Sequence, residues 1–126
     1  MANNCENRIR IVSSNEDIIM QVIHAAQSGT MLQFMAPVDK TGDMCDQVEA
    51  QRAAWGTRSE VAVVSIDHSC PGEVIIDCDT PWSPPLRAIQ SFWENNPGLD
   101  ISCEFCEPTE FVGVWRNGED CHYDIP

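Results

Sequence analysis

Positive charge is what this chain of 126 residues has least of. Seven Lys and Arg stand against twenty Asp and Glu, a formal net charge of −13. A surface of that sign repels phosphate, which argues against nucleic acid and anionic membrane as direct ligands and favours cations or basic proteins. Long apolar runs are missing too. Nowhere do eighteen apolar residues follow one another, and Met1 to Arg10 holds no apolar run of signal-peptide length, so a cytosolic protein is expected. No Gly-x-Ser-x-Gly elbow, phosphate-cradling glycine loop or His-Glu-x-x-His occurs. Those absences leave no catalytic signature, and neither enzyme activity nor a metal or other cofactor is expected. Repeats and Pro-, Gly- or Ser-rich linkers are also lacking, so one domain spanning 1–126 is the expectation.

What is present suffices for a core. At 43% hydrophobic and 21% charged residues the composition is that of an ordinary globular protein, and a domain of this length buries about 65–70% of its unfolded surface. Seven cysteines are many, but their odd number and the expected compartment read as thiols, not a disulfide framework. The acid is uneven: the chain carries −2 up to Arg58 and −11 after it.

Periodicity supplies the elements. Asn7 to Ser13 alternates as a strand, and Ser14 with Asp17 reads as a cap for a helix carrying Ile18, Ile19, Val22, Ile23 and Ala26 up to Gly29. Met31 to Met35, a short apolar run before Ala36-Pro37, is expected as a strand, and Cys45 to Ala54 as a helix. Glu60 to Asp67 and Glu73 to Asp79 form a hairpin around Ser69-Cys70-Pro71-Gly72. Ser83 followed by Pro84 reads as the start of a helix with Ile89, Phe92 and Trp93. Leu99 to Glu107, Phe111 to Arg116 and Glu119 to Tyr123 read as strands, the last two joined by Asn117-Gly118. The pattern is α+β, an antiparallel sheet with helices on one face.

Asn7-Arg8, Trp55-Gly56-Thr57-Arg58, Thr80-Pro81-Trp82-Ser83-Pro84-Pro85 and Phe111-Val112-Gly113-Val114-Trp115 occur in this order. On these motifs nearly the whole chain resembles the YubB-type ferredoxin-like proteins of plasmids, integrative elements and phages. Ser59 departs from the pattern, which usually has an aromatic residue there. The resemblance implies a ferredoxin-like sheet with an extra C-terminal hairpin, in a mobile-element protein acting inside a bacterium. It implies no catalytic residues.

The candidate chemistry divides four ways. Cys103-x-x-Cys106 with Cys121-His122 has the composition of a metal site, and a metal- or thiol-dependent regulatory module is the rival reading. In a strand, however, Cys103 and Cys106 face opposite sides. His68-Ser69-Cys70 brings a base beside two nucleophile types, but a turn explains it more simply. Trp55, Trp82, Trp93 and Trp115 read as core anchors, with Trp55 the one expected to reach the surface. A self-associating module, a homodimer through Trp55 and the edge strand near Tyr123, is a third reading.

The carboxylates carry most information. Glu73, Asp77 and Asp79 share one strand face and Asp100 and Glu104 another, with Val74, Ile76, Ile101 and Cys103 on the reverse. The expected result is a sheet with an apolar side and an acidic side, carboxylates spaced about 6.5 Å along each strand and roughly 5 Å between strands. Such a face either keeps the protein solvated or imitates nucleic acid toward a basic protein. The second reading makes Glu73, Asp77, Asp79, Asp100, Glu104, Glu107 and Glu110 the partner-binding residues. The expected partner is a basic host protein such as a CRISPR effector complex, inhibited by a mimic of its nucleic acid.

Overall fold

The structure, a computed structural model, describes residues 4–124. Among them the chain runs β1 (Asn4–Val12), α1 (Glu16–Gln27), α2 (Met31–Met35), α3 (Met44–Trp55), β2 (Ala62–Asp67) and β3 (Glu73–Pro81). It continues with α4 (Leu86–Asn95), β4 (Asp100–Glu107), β5 (Phe111–Arg116) and β6 (Glu119–Asp124). All strands join one antiparallel sheet in the order β2-β3-β1-β4-β5-β6, so the α+β expectation holds.

Alternation decides which side each strand buries. Cys5, Asn7, Ile9 and Ile11 of β1, Val74, Ile76 and Cys78 of β3, and Ile101, Cys103 and Phe105 of β4 are buried, while the residues between them are not. The buried set is continuous with Ile19, Val22, Ile23 and Ala26 of α1, Met31, Leu32 and Met35 of α2, Trp55 of α3, and Ala88, Ile89 and Phe92 of α4. Burying each large aliphatic side chain is worth about 1.5–3 kcal/mol. Strand β1 lies between β3 and β4 and so has a neighbour on both sides.

Three local expectations are corrected. Met31–Met35 is a helix, because something distant caps it: the Glu60 carboxylate accepts the N–H groups of Leu32 and Gln33, each at 2.8 Å. Those are two of the four free donors at a helix start, and an apolar run of this length is helix or strand according to such partners. Asn15, not Ser14, caps α1, its side chain accepting from the Asp17 N–H at 3.0 Å. Helix α4 starts at Leu86 after Pro85, without a side-chain cap. The Ser83 hydroxyl is engaged elsewhere, donating to the Gly56 carbonyl at 2.6 Å.

That last bond belongs to a buried polar node. The Asn7 amide donates to the Cys78 carbonyl at 3.3 Å and to Thr80 Oγ1 at 3.0 Å. The Thr80 hydroxyl donates to the Ser83 carbonyl at 2.6 Å, and Thr57 donates to the Pro81 carbonyl at 3.2 Å. Four sequence stretches thus meet at one place. Between them Trp82 takes a left-handed φ of 66°, which costs a non-glycine residue about 1–2 kcal/mol. The tryptophan expectation reverses here: Trp55 is fully buried, its indole N–H donating to the Ala36 carbonyl at 2.7 Å, and Trp82 is the exposed one.

Glu60→Ala should remove both caps from α2 and destabilise the protein by about 1–2 kcal/mol, read as a lower denaturation midpoint with unchanged slope. An unchanged midpoint would mean that water caps α2 equally well.

Candidate functional site

The register assembles the outer face of the sheet row by row. Opposed residues share a face, so Glu73, Asp77 and Asp79 of β3, Glu6, Arg8 and Arg10 of β1, and Asp100 and Glu104 of β4 stand together on it. Asp67 of β2, Arg116 of β5 and Glu119 of β6 extend it. The face therefore carries eight carboxylates and three guanidinium groups.

Strand order changes the expected charge spacing. Because β1 separates β3 from β4, their carboxylates lie two strand spacings apart, about 10 Å, and not the expected 5 Å. The intervening strand also brings cations. Arg8 donates to both Asp77 oxygens, at 2.8 and 3.2 Å, Arg10 to Glu73 at 2.9 Å, and Arg116 to Asp100 at 3.3 Å. The Arg8 guanidinium holds the Asp77 carboxyl below its ordinary value of 3.8, and the Ser65 hydroxyl adds to the effect.

Pairing leaves the charge unbalanced. All three arginines of the face are occupied, while Glu6, Asp79, Glu104, Asp67 and Glu119 form no ion pair among the described residues, although Glu104 stands opposite Arg8 and feels its charge. Glu6 stands directly opposite Asp79 on the neighbouring strand, a like-charge placement that costs stability. Glu6, Asp79 and Glu104 rim a hollow of about 300 Å³ in which the one cation among the described residues, Arg8, is engaged with Asp77. That geometry suits a ligand or surface bringing positive charge.

Two predicted residues fall outside this face. Glu107 has the inward parity of β4 and is buried, its carboxylate accepting from the Thr109 N–H at 3.1 Å and hydroxyl at 2.7 Å. It closes the β4–β5 turn and does not lie on the outer face. Glu110 is exposed on that turn, beyond the strand rows.

The other candidate constellations are taken apart by the same register. Cys103 faces inward and Cys106 outward, Cys121 outward and His122 inward, so the four proposed ligands split between two faces. No cluster of three or more His, Cys, Asp and Glu side chains fit to hold a metal ion occurs among the described residues. His68 lies 2.7 Å from Glu16 of α1, whose other oxygen accepts the Gly72 N–H. The triplet is part of a tie between α1 and the β2–β3 hairpin. Burial pushes the Cys5 and Cys78 thiols up to about 12, and Cys103 well above its ordinary value.

Toward β6 the outer face becomes apolar. Val112, Val114 and Tyr123 are 45%, 44% and 68% exposed and adjoin Cys106 and Cys121 in the same rows. Sequence reasoning did not find this strip, although the alternation in Phe111–Arg116 contained it. No family model, curated protein or solved structure matches this chain.

Two outcomes follow from the thiols and the ion pair. At pH 8 an aromatic disulfide reagent should label the exposed Cys45, Cys70 and Cys121 promptly, and Cys5, Cys78 and Cys103 only as fast as the chain unfolds. Prompt labelling of the buried three would contradict the packing. Asp77, depressed in the folded state, contributes stability present above its ordinary pKa of 3.8 and lost as pH falls through the lower folded value. Thermal melts from pH 6 to pH 2 should therefore show a shallower acid decline for Asp77→Asn than for the parent.

Proposed function

We propose that this chain is a non-enzymatic binding protein whose outer sheet face docks on the basic, nucleic-acid-binding surface of another protein. One observation carries the reading: every guanidinium of the face is already paired, and Glu6, Asp79 and Glu104 converge on a hollow that holds no free cation among the described residues. A partner that supplies Lys or Arg there gains Coulomb energy and relieves the Glu6–Asp79 repulsion. The five unpaired carboxylates take the place of phosphates, which are likewise spaced several ångströms apart along a ridge.

The strand order supports a ferredoxin-like reading: β1, β2, β3 and β4 with their intervening helices follow the β-α-β-β-α-β sequence, and β5 and β6 add a hairpin. RNA-binding sheets of that class present basic and aromatic residues on the open face, whereas this face presents acid. With the resemblance to YubB-type proteins of plasmids, integrative elements and phages, the reading becomes an inhibitor made by a mobile element. It acts in the bacterial cytoplasm on a host defence complex that handles nucleic acid, such as a CRISPR effector. No described helix is long and apolar enough to cross a membrane.

This reading shifts the residues to test. Glu6, Asp79 and Glu104 form the centre, Glu73, Asp77 and Asp100 are partly neutralised neighbours, and Glu107 is excluded. Immobilised parent protein should retain a nucleic-acid-binding protein from nuclease-treated bacterial lysate. Duplex DNA or 0.5 M salt should release it, and a Glu6→Gln, Asp79→Asn, Glu104→Gln variant should lose at least tenfold in retention. Equal retention by the variant, or none by the parent, would overturn the proposal.

A further inference from the structure

We propose that the free edge of β6 pairs antiparallel with β6 of a second copy of this chain, centred on Cys121, joining the two sheets into one. The two edges of the sheet differ. Strand β2 has a register break between Val63 and Ser65, the kind of irregularity that blunts an edge, whereas β6 pairs with β5 without a break and is exposed along its whole length.

The turn sets which backbone groups are free. Asn117 and Gly118 both have positive φ, 46° and 92°, the I′ geometry of a two-residue hairpin closing on Arg116 and Glu119. The closing pair exchanges both hydrogen bonds, and bonded and non-bonded pairs then alternate, so Val114 with Cys121 and Val112 with Tyr123 are bonded. The N–H and C=O groups of Asp120 and His122 consequently point away from β5, toward the open edge.

Charge then selects the register. A twofold axis normal to the sheet brings same-face residues together. Centring it on Asp120 sets two Asp120 carboxylates against each other, and centring it on His122 sets Asp120 against Asp124. Centring it on Cys121 brings no two acids together: Asp120 meets His122 of the second copy, Glu119 meets Tyr123, and Cys121 meets its own equivalent. In this register the Asp120–His122 pairs are the bonded ones, using the outward backbone groups. The Cys121 pair is non-bonded, with Cα atoms about 4.5 Å apart, inside the range a disulfide spans. The apolar strips of Val112, Val114 and Tyr123 become continuous across the junction.

Each copy carries −13, so association should strengthen as salt rises, the opposite sense to binding of a basic partner. Failure of one proposal is thereby distinguishable from failure of the other. Sedimentation of the full chain over a concentration series at 0.05 and 0.5 M salt should show mass rising toward twice the monomer, more at high salt. His122→Pro, which removes an outward N–H that β5 does not use, should hold the chain monomeric with its circular dichroism unchanged.

Oxidised glutathione provides a trap independent of that variant. Two Cys121 thiols form one S–S bond, their two electrons and two protons passing to the reagent, which leaves as two reduced glutathiones. A covalent dimer should form from the parent, from Cys45→Ser and from Cys70→Ser, and at least tenfold less from Cys121→Ser. A chain that stays monomeric at high salt, or dimers linked equally through Cys45 or Cys70, would overturn the proposal.

Discussion

The amide of Asn7 is the constraint on which the remaining structure depends. It is buried at the centre of the sheet, where an unmatched polar group would cost about 1–3 kcal/mol, and besides the nearby Cys5 carbonyl its partners lie far along the chain, at Cys78 and Thr80. Once Thr80 is held, its hydroxyl fixes the Ser83 carbonyl, and Ser83 in turn holds Gly56. The corner after β3, the end of α3 and the central strand are thereby located by one chain of hydrogen bonds. Hydrophobic burial supplies most of the stability and fixes which face each strand buries, but by itself it does not distinguish registers two residues apart. The polar node does. It also keeps Trp82 in its left-handed conformation, because the carbonyls on either side of that residue are both held.

The node orients the charge. Placing β1 in the middle puts Arg8 and Arg10 among the carboxylates of β3 and β4, which makes a face of that acidity compatible with a folded sheet. Of the seven Lys and Arg, Arg8, Arg10 and Arg116 are used there, and Lys40, Arg52, Arg58 and Arg87 lie off the strands in the helical and loop segments. The remaining cations therefore lie off the outer face, among acids such as Asp39, Asp43, Asp46 and Glu49, and the outer face keeps its excess of carboxylates, a field that draws a basic partner before contact.

Period-two alternation makes the faces of β3 and β4 legible in the sequence, so the outward side of Glu73, Asp77, Asp79, Asp100 and Glu104 follows from it. Glu107 was misplaced because it was grouped by charge, although the parity that assigns Glu104 outward assigns Glu107 inward. Strand order is not a local property. Nothing near Arg8 announces that Asp77 will be its neighbour, so neither the neutralised part of the face nor the exposed position of Glu6 could be read. The same holds for α2, whose cap arrives from Glu60. Trp55 was misjudged for a related reason: α3 offers little apolar stripe to mark its inner side, and the indole is covered by the Ala36 segment, which sequence alone does not bring near.

The central position of β1 also governs the order in which the fold can be completed. Asn7 pairs with Cys78 on one side and Phe105 on the other, so β1, made before either neighbour, acquires both only once β4 has been synthesised. Closing loops of that span carries an entropic cost before any contact rewards it, and topologies of this kind fold slowly for their size. Until β4 is available, Ile9 and Ile11 present apolar surface beside an unpaired strand edge. This stage is the most aggregation-exposed, the more so because the segment up to Arg58 carries only −2, and the charge that holds finished chains apart by mutual repulsion arrives with the later strands.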